Sequence, residues 1–188
     1  MYPRALLLTG RPGVGKTTLL RRALGHCQVP AAGFYTQEVR ERGVRIGFDM
    51  VTLDGRRAPL ARAGLSSPWR VGRYGVDKET LEKIGVAALR EAVKTRSLAV
   101  VDEIGRMEMC SPAFIQVLEE ALKGGIPILG TIMQKPHPIA DRVKSAPEVR
   151  VLEVLLATRE KVFQEVVEWL QSLAHAFAAE NSPLLLTR

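Results

Sequence analysis

The sequence predicts an α/β fold, a mostly parallel twisted sheet flanked by helices on both faces. Three observations carry that expectation. Short apolar runs, such as residues 4–8 and 98–103, alternate with longer amphipathic stretches. Strands separated by helices pair in parallel and are covered on both sides. A glycine-rich turn at 10–15 joins the first apolar run to the first amphipathic stretch, as a strand-to-helix connection would.

Taken in order, residues 4–8 read as a buried strand and 16–25 as a helix that opens at Lys16 and stops at Gly25. "AGFYTQE" (32–38) and "RIGFDMVTL" (45–53) read as two strands. Asp54-Gly55 is a turn into a short strand near 58–62, so this middle part resembles a β-meander inserted after the first helix. The glycines and Pro68 of 64–76 predict an irregular loop. Asp77 is a candidate N-cap for a helix through about Lys94, with Leu81, Ile84, Ala88 and Ala92 on one face. "LAVVDE" (98–103) is a strand ending in two acids. A helix at 112–123, a strand at 126–130, a proline-rich and undefined 135–147, a strand at 149–156 and an amphipathic helix at 159–178 complete the order. No repeat, low-complexity segment or linker interrupts it. The expectation is one domain over 1–188, with the tail from 180 onward unassigned.

With 188 residues and 46% hydrophobic composition, the chain suits one well-packed core. Cys27 and Cys110 lie far apart, without disulfide or zinc spacing, and are expected as thiols in a reducing cytoplasm. No apolar run reaches the ~20 residues needed to cross a bilayer, and the opening residues lack the pattern of a signal peptide. A soluble, cytoplasmic, monomeric protein with no membrane partner is expected. The net charge of +7 suits polyanionic partners and leaves nucleic acid open as one. A basic surface that serves solubility alone is the plainer reading. Arginines cluster at 40, 42, 45, 56, 57, 62, 70 and 73, without the interleaved aromatics of a single-strand stacking platform.

The chemistry begins at "TGRPGVGKTT". Gly10-x-x-x-x-Gly15-Lys16-Thr17 follows a strand and opens a helix, the context that a phosphate-binding P-loop requires. Its glycines let successive N–H groups turn toward an anion. Lys16 would reach the β and γ phosphates, and the Thr17 hydroxyl would ligate Mg²⁺. The second piece is Asp102-Glu103, at the carboxyl end of an apolar strand where ligands of parallel sheets sit. Asp102 is the candidate metal-holding acid. Glu103 is the candidate general base that polarises an attacking water. An adjacent glutamate favours hydrolysis over phosphoryl transfer to another acceptor, because a kinase must suppress attack by water.

These residues carry a resemblance. "LTGRPGVGKTTL", "GFYTQEVR", "RIGFDMVTLDG", "VGRYGVD", "VVDEIGRMEM" and "ILGTI", in that order, resemble the small nucleoside-triphosphatases that include the human cancer-related nucleoside-triphosphatase and thermophilic bacterial and archaeal relatives. The match covers about residues 4–160. It implies a RecA-like P-loop fold and Mg²⁺-dependent release of phosphate from ATP, GTP, CTP and UTP. It also implies two nucleotide-contacting segments. In this chain these are Gly10-Arg11-Pro12-Gly13-Val14-Gly15-Lys16-Thr17-Thr18 and Val100-Val101-Asp102-Glu103-Ile104-Gly105-Arg106-Met107.

Several side chains have two readings. Arg106 either reaches the γ-phosphate as a charge stabiliser or pairs with Glu108 at the surface. Glu108 itself reads as structural. His137 sits in a loop that could approach the nucleotide, but a lone loop histidine is usually just exposed. His26 reads as a helix C-terminal dipole partner, His175 as a surface residue and Cys110 as an inert thiol. Thr158 and Arg159, after the last strand, are candidates for edging the base. Three functions compete: a nucleoside-triphosphate hydrolase, a nucleoside, nucleotide or RNA-end kinase, and a slow switch acting on RNA.

Overall fold

The computed structural model describes residues 3–181, with side chains through residue 179. The tail 180–188 therefore lies almost wholly outside the described residues. The chain forms β1 (Ala5–Thr9), α1 (Lys16–Leu24), β2 (Ala31–Glu41), β3 (Val44–Thr52), β4 (Arg57–Ala63), β5 (Arg70–Val71), β6 (Tyr74–Val76), α2 (Lys78–Thr80), α3 (Ala87–Thr95), β7 (Leu98–Ile104), α4 (Pro112–Gly124), β8 (Ile128–Ile132), α5 (Pro138–Lys144), β9 (Val149–Glu153) and α6 (Arg159–Asn181). A π-helical stretch, Leu81–Val86, joins α2 to α3. A single 3₁₀ turn spans Glu108–Cys110.

The nine strands of the described residues share one sheet, ordered β5-β6-β4-β3-β2-β7-β8-β1-β9. The five strands from β2 to β9 are parallel to their neighbours, and the meander β3–β6 continues the sheet antiparallel from β2. Period-two alternation buries both faces of the parallel part. Ala5, Leu7, Ala99 and Val101 face a core with α3, α4 and α5. Leu6, Leu8, Leu98 and Val100 face a second core with α1 and α6. Since β1, β7, β8 and β9 run the same way, the loops after each of them leave from one edge of the sheet.

Local chemistry sets the helix ends. The Asp77 side chain accepts from the Thr80 N–H at 2.9 Å. Ser111 accepts from the Phe114 N–H at 3.2 Å, Pro112 occupies the first turn, and Gly125 closes α4 at φ +67°.

Two expectations are corrected. Residues 64–76 contain the hairpin β5–β6, because β6 finds a partner in β4 that no local signal announces. Residues 135–147 contain α5, whose Pro138 is a helix-starting proline rather than a loop marker. Among the described residues, no helix is long and apolar enough to cross a membrane.

Candidate nucleotide site

The P-loop sits between β1 and α1, at the carboxyl edge of the sheet. Gly10, Gly13 and Gly15 have φ of +142°, +79° and +98°. At Gly10 a Cβ would lie 2.6 Å from the Val154 carbonyl oxygen, so that turn needs glycine for space as well as conformation. Gly15 is the N-cap of α1 and offers no side chain to the first turn, which also holds no acid. Its N–H groups and the positive end of the helix are thus left for an anion. The Lys16 ammonium donates to the Gly10 carbonyl at 3.0 Å, folded across the loop whose phosphate it would meet.

Asp102 and Glu103 stand at the end of β7, two strands from β1. The pairing of β7 with β8 breaks between Val101 and Ile104, and the Asp102–Glu103 peptide is cis. Val100, Val101 and Ile104 are fully buried and anchor the segment, so the acids are held by core packing on both faces. Asp102 is 1% exposed and its Oδ1 accepts from the Thr131 hydroxyl. Its Oδ2 has no hydrogen-bond partner among the described residues. Burial raises the Asp102 pKa, opposed by the hydroxyls of Thr131 and Thr17 and by the Lys16 ammonium. Glu103 is only partly buried and makes no hydrogen bond or ion pair among the described residues. Burial raises its pKa, the Lys16 ammonium opposes that rise, and the charge of Asp102 adds to it least.

Arg106 is exposed and does not pair with Glu108. That alternative fails because the 3₁₀ turn carries Glu108 inward, leaving it 3% exposed, under Gly105. A Cβ on Gly105 would lie 3.2 Å from Glu108 Oε2 and 3.5 Å from Glu103 Cγ, so one glycine separates the two acids. Burial first, then Glu103 and Asp102, push the Glu108 pKa to about 8. Its burial is what sequence reasoning missed. The flanking methionines of "RMEM" are the one local sign of an inward-facing turn.

Other candidates fall around this centre. The Arg159 guanidinium lies 3.6 Å from where a Gly15 Cβ would be, against the P-loop itself, while Thr158 Oγ1 accepts from the Leu155 N–H. Leu155 and Leu156 beside them are 46% and 79% exposed, an apolar ledge that the sequence reading did not single out. The His137 ring caps α5, its Nδ1 accepting from the Ile139 N–H at 3.3 Å. His26 meets the Phe163 ring edge-on and His175 is exposed. Burial, with Glu108 second, raises the Cys110 thiol to about 11, which keeps it protonated and inert.

Fold and site together define an α/β P-loop protein: a glycine-rich phosphate loop on the first strand, an acid pair on a strand two away, and one strand inserted between them. The chain belongs to the NTPase family, whose model matches residues 5–167. It is 44% identical to the nucleoside-triphosphatase THEP1 of Thermotoga petrophila, over 86% of this chain and 90% of that protein. It is 42% identical to the human cancer-related nucleoside-triphosphatase, over 90% of this chain and 97% of that one. The crystal structure of THEP1 from Aquifex aeolicus superimposes with a TM-score of 0.80 at 29% identity, covering 89% of this chain and 99% of that one. The solution structure of the human protein gives 0.76 at 42% identity, covering 90% and 98%.

Proposed function

We propose that the chain hydrolyses nucleoside 5′-triphosphates to the diphosphate and inorganic phosphate, with Mg²⁺ and with little regard for the base. The observation that carries this reading is Glu103: a carboxylate beside the metal-type acid, near the lysine, raised in pKa and engaged by no other side chain. A base placed so is free to take a proton from water. The family membership and the names of the relatives support the same class of reaction.

Each residue has a role. The P-loop N–H groups and Lys16 grip the β and γ phosphates. Glu103 orients water toward the γ-phosphorus and takes its proton. Arg106, without a partner among the described residues, is available to offset charge on the departing phosphoryl group. The donor set fits a magnesium ion: one orphaned oxygen on buried Asp102 and the hydroxyl of Thr17 near it, with phosphates and water to complete six oxygens. When bound, Mg²⁺ would neutralise charge on the β and γ oxygens.

The test uses γ-labelled ATP with Mg²⁺ or with EDTA. Label is expected in inorganic phosphate, and only with Mg²⁺. Glu103→Gln should retain ATP binding while lowering turnover by about 10²-fold or more, as loss of a base acts on the chemical step. Normal turnover in that variant, or transfer of label to an added nucleoside or RNA end in preference to water, would refute the reading.

A further inference from the structure

A second cavity, of about 280 Å³, lies where the hairpin β5–β6 meets the segment after β7 and the loop before α5. Trp69, Arg70, Arg106, Met109 and His137 line it, and no carboxylate does. Of the residues lining it, only Arg106 has a role in the proposed hydrolysis.

Its lining is unusual in two respects. Most arginines of the 40–73 cluster are neutralised: Glu38 pairs with Arg40 and Arg45, Asp54 with Arg56, and Asp49 with Arg57 and Arg62. Arg70 instead donates only to the carbonyls of Leu65 and Arg73, and Arg106 has no partner among the described residues. Arg42, Arg70, Arg73 and Arg106 are thus without a carboxylate partner among the described residues, and two of them, Arg70 and Arg106, share the cavity. The second respect is Trp69, 43% exposed yet tightly tethered. Its backbone N–H donates to Ser67 Oγ at 3.1 Å, its backbone carbonyl accepts from the Val76 N–H at 2.8 Å, and the Lys78 ammonium lies 5.7 Å from its ring centroid. An indole exposed to water on a backbone held at both ends is a stacking surface for a flat ring.

We propose that this cavity binds a nucleoside monophosphate, its base stacked on Trp69 and its phosphate held by Arg70 and Arg106. A phosphomonoester carries roughly −1.5 to −2 charges at neutral pH, which two guanidiniums match in charge and in fork geometry. A triphosphate would bring further charge, and no acid lines the cavity to hold a metal for it. The volume, at the small end of ligand clefts, also suits a single nucleotide. Because His137 Nδ1 accepts from Ile139, the neutral ring keeps its proton on Nε2 as a further donor. A 5′-phosphorylated strand end shares this chemistry; the volume, which suits one nucleotide, favours the free nucleotide.

The experiment reads Trp69 fluorescence. The only other tryptophan, Trp169, is buried and donates to the Pro3 carbonyl, so Trp169→Phe isolates the signal. Equilibrium dialysis with radiolabelled AMP on the unaltered chain gives an independent constant should that variant be unstable. AMP, GMP, CMP and UMP are expected to quench saturably with Kd below ~1 mM. Arg70→Ala should weaken binding at least tenfold, and Lys16→Ala, with its P-loop disabled, should leave it intact. The site is refuted by failure to saturate, by equal affinity for adenosine or for inorganic phosphate alone, or by loss of binding in Lys16→Ala. An oligoribonucleotide with a 5′-phosphate that binds tenfold tighter than AMP would overturn the assignment to a free nucleotide. Phosphate release from ATP is followed on the same samples. Loss of hydrolysis with AMP binding kept condemns the hydrolase reading alone, and the converse condemns this site alone.

Discussion

Glu108 shows how a single side chain couples the site to stability. Its carboxyl is buried beside two other acids, so it holds its proton to about pH 8 where an ordinary glutamate loses it near 4.5. Between those values the unfolded chain has released a proton that the folded chain retains. Stability therefore falls as pH rises through that window, by up to about 1.4 kcal/mol per pH unit for one proton. Glu108→Gln removes the titrating group while keeping a polar side chain of similar size. Its thermal midpoint is expected to exceed that of the unaltered protein at pH 8, with the gap closing toward pH 5. Parallel Tm curves for the two proteins over pH 5–8 would show that Glu108 is not held protonated. Glu108 also marks a boundary of what single residues disclose. The placement of Lys16, Asp102 and Glu103 at one edge of the sheet was legible because motif, strand and carboxyl edge all point there. Whether an acid in "RMEM" faces water or core depends on one 3₁₀ turn and on what lies beneath Gly105, and spacing does not encode either.

Between residue and fold, the pairing of β2 with β7 sets where the acid pair stands. Gly33 is opposite Val100 in that ladder, at φ +139°, and a Cβ there would lie 2.0 Å from the Val100 carbonyl oxygen. Backbone cannot swing aside as a side-chain tip can. Gly33→Ala is thus expected to cost about 3 kcal/mol or more, at the top of the usual range for overpacking, and to disturb the strand that carries Asp102 and Glu103. Denaturant unfolding measures it; a loss below about 0.5 kcal/mol, as for an ordinary surface change, would mean that the two strands part more easily than their register implies. The elements of the parallel core were legible because each is a short apolar run bounded by glycine or a helix cap. The hairpin β5–β6 was not, since a two-residue strand has no periodicity and exists only through its partners. The strand expected at 126–130 lies at Ile128–Ile132, because register with β1 and β7 overrides the local apolar boundary. That same unannounced hairpin supplies Trp69 and Arg70, so the cavity it forms was hidden along with it.

Across the whole molecule, the two ends of a bound triphosphate would meet very different surroundings. The γ end would face the sheet's interior strands, where β7 and β8 are paired on both sides and carry the buried Asp102 and Thr131. The outermost parallel strand is β9, and the exposed Leu155 and Leu156 follow it directly. We infer that the base lies toward this open edge, on an apolar ledge rather than in a polar pocket. The region also lacks the Asn-Lys-x-Asp stretch with which GTP-specific enzymes read guanine; it runs "LLATREKVF". A pocket built to hydrogen-bond one base edge rejects the others by up to ~10⁴, because its own polar groups are left unpaired, whereas a surface that only packs a ring discriminates by about 10 to 200. Binding energy should then come mostly from the triphosphate and Mg²⁺, which all four nucleotides share. ATP, GTP, CTP and UTP are accordingly expected to be hydrolysed with kcat/KM values within roughly two orders of magnitude of one another. Substituting Leu156 by alanine should weaken all four by a similar, modest factor. A preference above about 10³ for one base would mean that a polar reader of the base exists at this edge, and the ledge would lose its role.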